Sequence, residues 1–359
     1  MSLLALVLAA QAGALTQLPP APIQLWTIRW QKQLVEPIAL EWKARESGGP
    51  AVDGTTGRVV IGTRDGWLRA YSPDGELAWE LQAGGRFEAP PRIEGDVVYA
   101  GSSDGFLYAV ELGSGRLRWK YDAQEEVGTT PALAGGLVLA MTLQDTLFAV
   151  DAKSGAWRWH HRREQREGFT VHGAASPLVS GATVYGAYSD GSVAALDLLA
   201  GTVKWERKVA PAGDFADVDS LRIQGGRLFA AAYSGAVYAL DAGTGQQQWV
   251  VKTPAPSRLG LGGGLLVAVT NTQVLGIAPQ DGALRWTVPL EGAPAAEPVV
   301  VNGRAAVPNG SGLLWIDTRQ GRLLRIFDPG TGVSAAPAWV GSRIYVLSNG
   351  GSLFALDLS

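Results

Sequence analysis

Six tryptophans, Trp79, Trp119, Trp159, Trp205, Trp249 and Trp286, fall 40, 40, 46, 44 and 37 residues apart, and each closes a similar phrase. A period in this range marks a chain built from repeated supersecondary units, and it constrains the fold before any local reading does. The clearest copies are Ala239-Leu240-Asp241-Ala242-Gly243-Thr244-Gly245-Gln246-Gln247-Gln248-Trp249 and Ala149-Val150-Asp151-Ala152-Lys153-Ser154-Gly155-Ala156-Trp157-Arg158-Trp159. Looser copies run from Ala109 to Trp119, Ala195 to Trp205 and Gly276 to Trp286. Trp315 to Arg325 keeps Asp317 and Gly321 but lacks the final Trp.

A second phrase precedes each of these: a β-rich run, a short polar turn, then another β-rich run. Val97-Val98-Tyr99-Ala100 stands before Asp104-Gly105, and Ile344-Tyr345-Val346-Leu347 before Asn349-Gly350. Asp-Gly and Asn-Gly between apolar runs signal hairpins, because these residues tolerate the positive φ of tight turns. Pro50, Pro91, Pro131, Pro177, Pro298 and Pro337 open most repeats, where a strand tolerates a missing N–H. Each repeat thus holds four short strands. A lone four-stranded sheet cannot cover both faces, whereas blades packed around an axis can. The expected fold is all-β, an eight-bladed β-propeller of four-stranded antiparallel blades.

The count of eight rests on the turns Asp65-Gly66, Asp104-Gly105, Gln144-Asp145, Asp190-Gly191, Ser234-Gly235, Asn271-Thr272, Asn309-Gly310 and Asn349-Gly350. The last repeat ends at Ser359 without its outer strand. An N-terminal strand is expected to close the ring and pair that open edge. Thr27 to Lys32, centred on Trp30, is favoured over Leu40 to Lys43, centred on Trp42, which leaves little chain before Pro50.

Composition narrows the function classes. A formal net charge of −3 gives no basic footprint for nucleic acid. With no Cys, disulfides, thiolate metal sites and thiol nucleophiles are excluded. Residues 1–14 read as a signal peptide, with an apolar stretch from Leu3 to Ala14 and an A-x-A cleavage pattern at Ala10 and Ala12 or at Ala12 and Ala14. Residues 15–25 read as a Pro-rich tether, and 26–359 as a single propeller. No later segment is apolar for long enough to be a transmembrane helix.

The phrase Ala-x-Asp-x-x-Thr-Gly-x-x-x-Trp resembles the tryptophan-docking motif of the pyrroloquinoline-quinone-type (PQQ-like) propeller repeat family. Its physics is plain. Asp and Thr or Ser satisfy turn N–H groups, Gly takes a positive φ, and Trp packs between blades. Within that family the chain is most similar to the outer-membrane protein assembly factor BamB, over nearly all of residues 26–359. The resemblance implies a non-enzymatic periplasmic scaffold, without cofactor, that assists insertion of β-barrel proteins into the outer membrane. Its implied partners are the β-barrel assembly subunit (BamA-like) and unfolded outer-membrane proteins as clients, with the chain a monomer within the complex. The alternatives are a PQQ-dependent dehydrogenase-like enzyme and a generic extracytoplasmic binding propeller. Family members carry a lipidated Cys after a Leu-Ala-Ala-like box. Here Leu8-Ala9-Ala10 is followed by Gln11, so no lipid anchor is expected and attachment is peripheral.

The resemblance also points to a partner site. The family's Asp-Val-Asp matches Asp217-Val218-Asp219. Its Leu-x-Leu-Arg-Gly matches Phe169-Thr170-Val171-His172-Gly173, with His172 in place of the Arg. Imidazole does not replace a guanidinium fork evenly. Phe169, Val171, His172, Asp217 and Asp219 are therefore the candidate partner-binding residues. For Asp217 and Asp219, a solvated loop and a calcium site are the other readings. No catalytic residue is expected. Gly101-Ser102-Ser103-Asp104-Gly105 fits a nucleophile pattern but falls on a repeated hairpin turn, and His160-His161 reads as a solvated loop. Trp26 and Trp339 lack the docking phrase and are candidates for exposure.

Overall fold

The computed structural model describes residues 24–36, 46–163, 174–210, 216–254, 258–291 and 296–359. Their strands pair into eight four-stranded antiparallel sheets arranged as a ring, an eight-bladed β-propeller. Blades 1 to 7 each use four consecutive strands. Blade 8 uses Ala338–Val340, Arg343–Leu347 and Ser352–Leu358, completed by the N-terminal strand Trp26–Gln33.

The middle strands of the blades are mainly apolar and largely buried on both faces, as in Val97–Gly101 and Leu137–Met141. Each face meets a neighbouring blade, so the core is a set of layers between blades. One layer packs Leu139, Met141 and Leu147 against Val184, Tyr188 and Leu196. Outer strands such as Leu117–Asp122 alternate, because only part of each reaches a neighbour.

The docking phrase works as its residues dictate. In Asp151–Gly155 the Asp151 carboxylate accepts from Ser154 N at 2.9 Å and Ser154 Oγ at 2.8 Å. Gly155 takes a φ of +72°, and a Cβ there would sit 2.7 Å from the Trp119 ring. Each docking indole crosses to the next blade. Trp79 donates to Leu112 O at 2.8 Å, Trp159 to Leu198 O at 3.0 Å, and Trp286 to Thr318 O at 2.7 Å. Opposite each Trp the third strand supplies a small residue, such as Ala149 facing Trp159 or Gly276 facing Trp286.

Trp30 joins this series. It faces Ala355 and donates to Pro73 O at 2.9 Å, so the strand around Trp30 closes the ring; Trp42 lies outside the described residues. Blade 7 inverts the pattern, with Trp315 on the third strand facing Arg325 on the fourth. The next blade has no docking turn there, because Ser359 N meets Leu25 O where the chain ends come together. Trp26 and Trp339, expected to be exposed, instead gather on buried Trp315. Trp26 stacks on it at 5.9 Å and Trp339 meets it edge-on at 5.3 Å.

The two ends of the ring differ. One carries the uniform Asp-to-Gly turns. At the other, second-to-third strand hairpins meet the connections between blades, as where Val127 N donates to Ser102 O and Val333 N to Asn309 O. Segments 37–45, 164–173, 211–215, 255–257 and 292–295 all fall in those connections. Departures from the period therefore collect at one end.

Candidate functional site

The first site motif opens blade 5. Asp217 precedes the inner strand Val218–Gln224, and Asp219 lies within it rather than in a loop. The ladder pairs Val218 with Ala232 and Ser220 with Ala231, leaving Asp219 as the extra residue of a β-bulge. A bulge re-aims a side chain. Here it turns Asp219 inward, so Asp217 and Asp219 are 2% and 7% exposed. Asp219 pairs with Arg258, the first residue of the inner strand of blade 6, Arg258–Gly262. Burial pushes the Asp219 carboxyl above its ordinary range, and the Arg258 guanidinium only partly offsets this. Asp217 contributes its carbonyl, which accepts from Tyr233 N at 2.8 Å.

A second ion pair lies alongside. Glu297, at the opening of blade 7, accepts from Arg222 at 2.5 and 3.0 Å and from Ser220 Oγ at 2.8 Å. Leu259 N in turn donates to Ser220 Oγ at 3.1 Å. Arg258, Arg222 and Glu297 were not singled out from sequence, yet a signal was there. Blades 5 and 6 alone lack an opening Pro. In the other six blades the inner strand begins at or next to that Pro and is three residues long. Freed of the missing N–H, the inner strands of blades 5 and 6 extend to seven and five residues.

Phe169, Val171 and His172 lie outside the described residues, but the root of their segment is well placed. Arg163 bridges from blade 3 to Asp190 at 2.8 Å and to Glu206, both of blade 4, and its N donates to Asp145 O at 3.2 Å. Asp145 is buried, which raises its carboxyl, and accepts from Ser189 N at 3.0 Å. Asp190, although buried, is held below the usual carboxylate range by Ser192 and Arg163. His161 is not in a solvated loop. It lies on the outer strand Trp157–Arg162, with Nδ1 2.7 Å from the Tyr188 hydroxyl, and burial lowers its pKa.

Tyr188 joins Asp217–Asp219 to the last described residues before 164–173. Its ring and hydroxyl meet Arg163 and His161, at the root of 164–173. Its carbonyl accepts from Val218 N at 3.3 Å, inside the Asp217–Asp219 motif. Ser102, of the nucleophile-like pattern, is buried in a hairpin turn of blade 2. Among the described residues, no three or more His, Asp or Glu side chains converge as metal ligands.

These features define a class: an eight-bladed propeller of PQQ-like repeats with one irregular, charged end. The sequence model for the outer membrane protein assembly factor BamB matches residues 23–114, 95–275 and 235–359, and the chain belongs to that family. A Legionella pneumophila protein of that name is 29% identical over 196 residues, 52% of this chain and 51% of the relative. The chain thus spans about half the length of that relative. The crystal structure of BamB from Moraxella catarrhalis superposes with a TM-score of 0.77 at 22% identity, covering 93% of this chain and all (100%) of that one. A quinohemoprotein alcohol dehydrogenase from Pseudomonas putida HK5 shares the fold at a TM-score of 0.72 and 13% identity, covering 93% and 76%.

Proposed function

We propose that the chain is a non-enzymatic, periplasmic scaffold of BamB type, peripheral to the outer membrane. In this reading it assists β-barrel insertion by binding the barrel-assembly subunit through its irregular end. The observation that supports it is the meeting of Arg163, which precedes the Phe169–His172 segment in the chain, and Val218, between Asp217 and Asp219, on the Tyr188–Asp190 turn, in a chain of this family. Phe169, Val171 and His172 supply contacts, on a root held by Arg163. Asp217 and Asp219 shape the adjoining mouth of the ring.

Strand addition at a blade edge is the weaker route to clients. Every outer strand carries a bulge at its docking position, such as that between Ala149 and Val150 opposite Trp157 and Trp159. Bulges and edge charges such as Arg158 and Arg162 blunt strand pairing.

The test is affinity recovery from native envelopes, comparing wild type with Phe169→Ala/Val171→Ala/His172→Ala. Wild type should recover the barrel-assembly subunit and the triple variant at least about tenfold less, the loss of a hot-spot contact. Failure of wild type to recover it sinks the reading. Dye-linked dehydrogenase activity on adding pyrroloquinoline quinone and calcium would establish the enzyme alternative instead.

A further inference from the structure

We infer that Asp219 is a positioning residue, the blade 5 end of a charged clasp that fixes the mouth of the ring across blades 5, 6 and 7, and not itself a partner contact. Four charges make the clasp: Asp219 with Arg258, and Arg222 with Glu297. Ser220 links the pairs by donating to Glu297 and accepting from Leu259 N. Two cations and two anions cancel, so the cluster offers little net charge to an outside group. The Asp219 side chain is 3% exposed and its nearest cation comes from its own chain.

Packing beside the clasp is correspondingly close. A Cβ on Gly260 would sit 2.5 Å from Pro298 O, and one on Gly262 would sit 2.3 Å from Val300 O. The inner strand of blade 6 is thus pressed against that of blade 7, with no space for side chains between them. Docking tryptophans hold blades together near the rim. At the hub, where most blades present short Pro-capped strands, blades 5 to 7 are joined by ion pairs. The clasp thus fixes the described residues that open blades 5, 6 and 7 against one another.

The inference deepens the proposed role only in its partner readout; the clasp itself is tested on the isolated chain. Asp219→Asn, Arg258→Gln and the double variant are compared by thermal unfolding. Breaking a buried pair from either side should lower Tm by about 5 °C, and the double should lose no more than either single. Asp219→Asn and Arg258→Gln should then reduce recovery of the barrel-assembly subunit alike. Additive losses in the cycle would overturn the clasp. So would an Asp219→Asn protein of unchanged Tm that loses the partner while Arg258→Gln keeps it. Should either single variant fail to fold, Asp219→Glu and Arg258→Lys, read by denaturant midpoint, decide by the same coupling. If wild type recovers no partner, the assembly role fails and the thermal cycle still decides the clasp.

Discussion

The Trp30 indole donates to the Pro73 carbonyl at 2.9 Å, joining the strand that closes blade 8 to a turn of blade 1. Seam and ordinary blade junction therefore use the same device, since Trp205 donates to Ala242 O at 3.0 Å within the continuous chain. Trp30 is thus the docking indole of the seam, beside Arg29, which donates to Asp74, and Arg343, which donates to the same Pro73 carbonyl. Trp30→Ala, which removes a partly buried ring, should destabilise by about 2–4 kcal/mol, measured by urea unfolding. Trp157→Ala, at a ring 55% exposed, should change stability by less than about 1 kcal/mol. Equal losses for the two would refute the docking account.

Most of the ring was readable because its determinants are local and repeated. Asp241, Thr244, Gly245 and Trp249 each do their work within one turn or on the next blade, and recur at a fixed period. The clasp was not readable in this way. Asp219, Arg258 and Glu297 are far apart in sequence, and their meeting depends on a bulge and on two blades lacking an opening Pro. Trp26 and Trp339 misled for a related reason: the ring they pack on, Trp315, sits on a third strand where the period places Ala or Gly.

Gly245 separates backbone strain from packing. It takes a φ of +71°, and a Cβ there would lie 2.5 Å from the Trp205 ring. Gly95, at +57°, has nothing within 4 Å of such an atom. Gly95→Ala should cost about 1–2 kcal/mol for the left-handed conformation alone. Gly245→Ala should cost about 1–3 kcal/mol more, since Trp205 must shift. Paired denaturant titrations give the difference, and a difference near zero would contradict the close docking.

Glu46 makes the seam between blades 1 and 8 sensitive to pH. Its carboxylate is buried, meets Arg64 Nε at 2.7 Å and accepts from Arg64 N at 3.1 Å, while its own N donates to Asn349. Burial outweighs the pull of Arg64 and raises its pKa from 4.5 to about 7. With the folded value raised, its contribution is fully present below pH 4.5 and is lost as pH rises through 7. The change is on the order of 3 kcal/mol. Urea midpoints from pH 4.5 to 8 should fall more steeply for wild type than for Glu46→Gln. Parallel curves would remove Glu46 as the cause.

Tyr188→Phe tests whether the roots of the two site motifs are joined through a side chain or only through the backbone. The substitution keeps the buried ring and the carbonyl that accepts from Val218 N, and removes only the hydroxyl beside His161 Nδ1. A half-buried ring nitrogen left without that partner should cost about 1–2 kcal/mol. Amide exchange should quicken at His161 to Arg163, on the blade 3 side, and stay unchanged at Val218. Burial also lowers the His161 pKa below 6.5, so the neutral ring is the folded form. Its contribution is present above pH 6.5 and declines as the pH falls below it. An NMR titration of His161 with a midpoint above 6.5 would contradict that burial. Quicker exchange at Val218 as well would show that the hydroxyl holds both roots, and that the tie between the motifs runs through this one hydrogen bond.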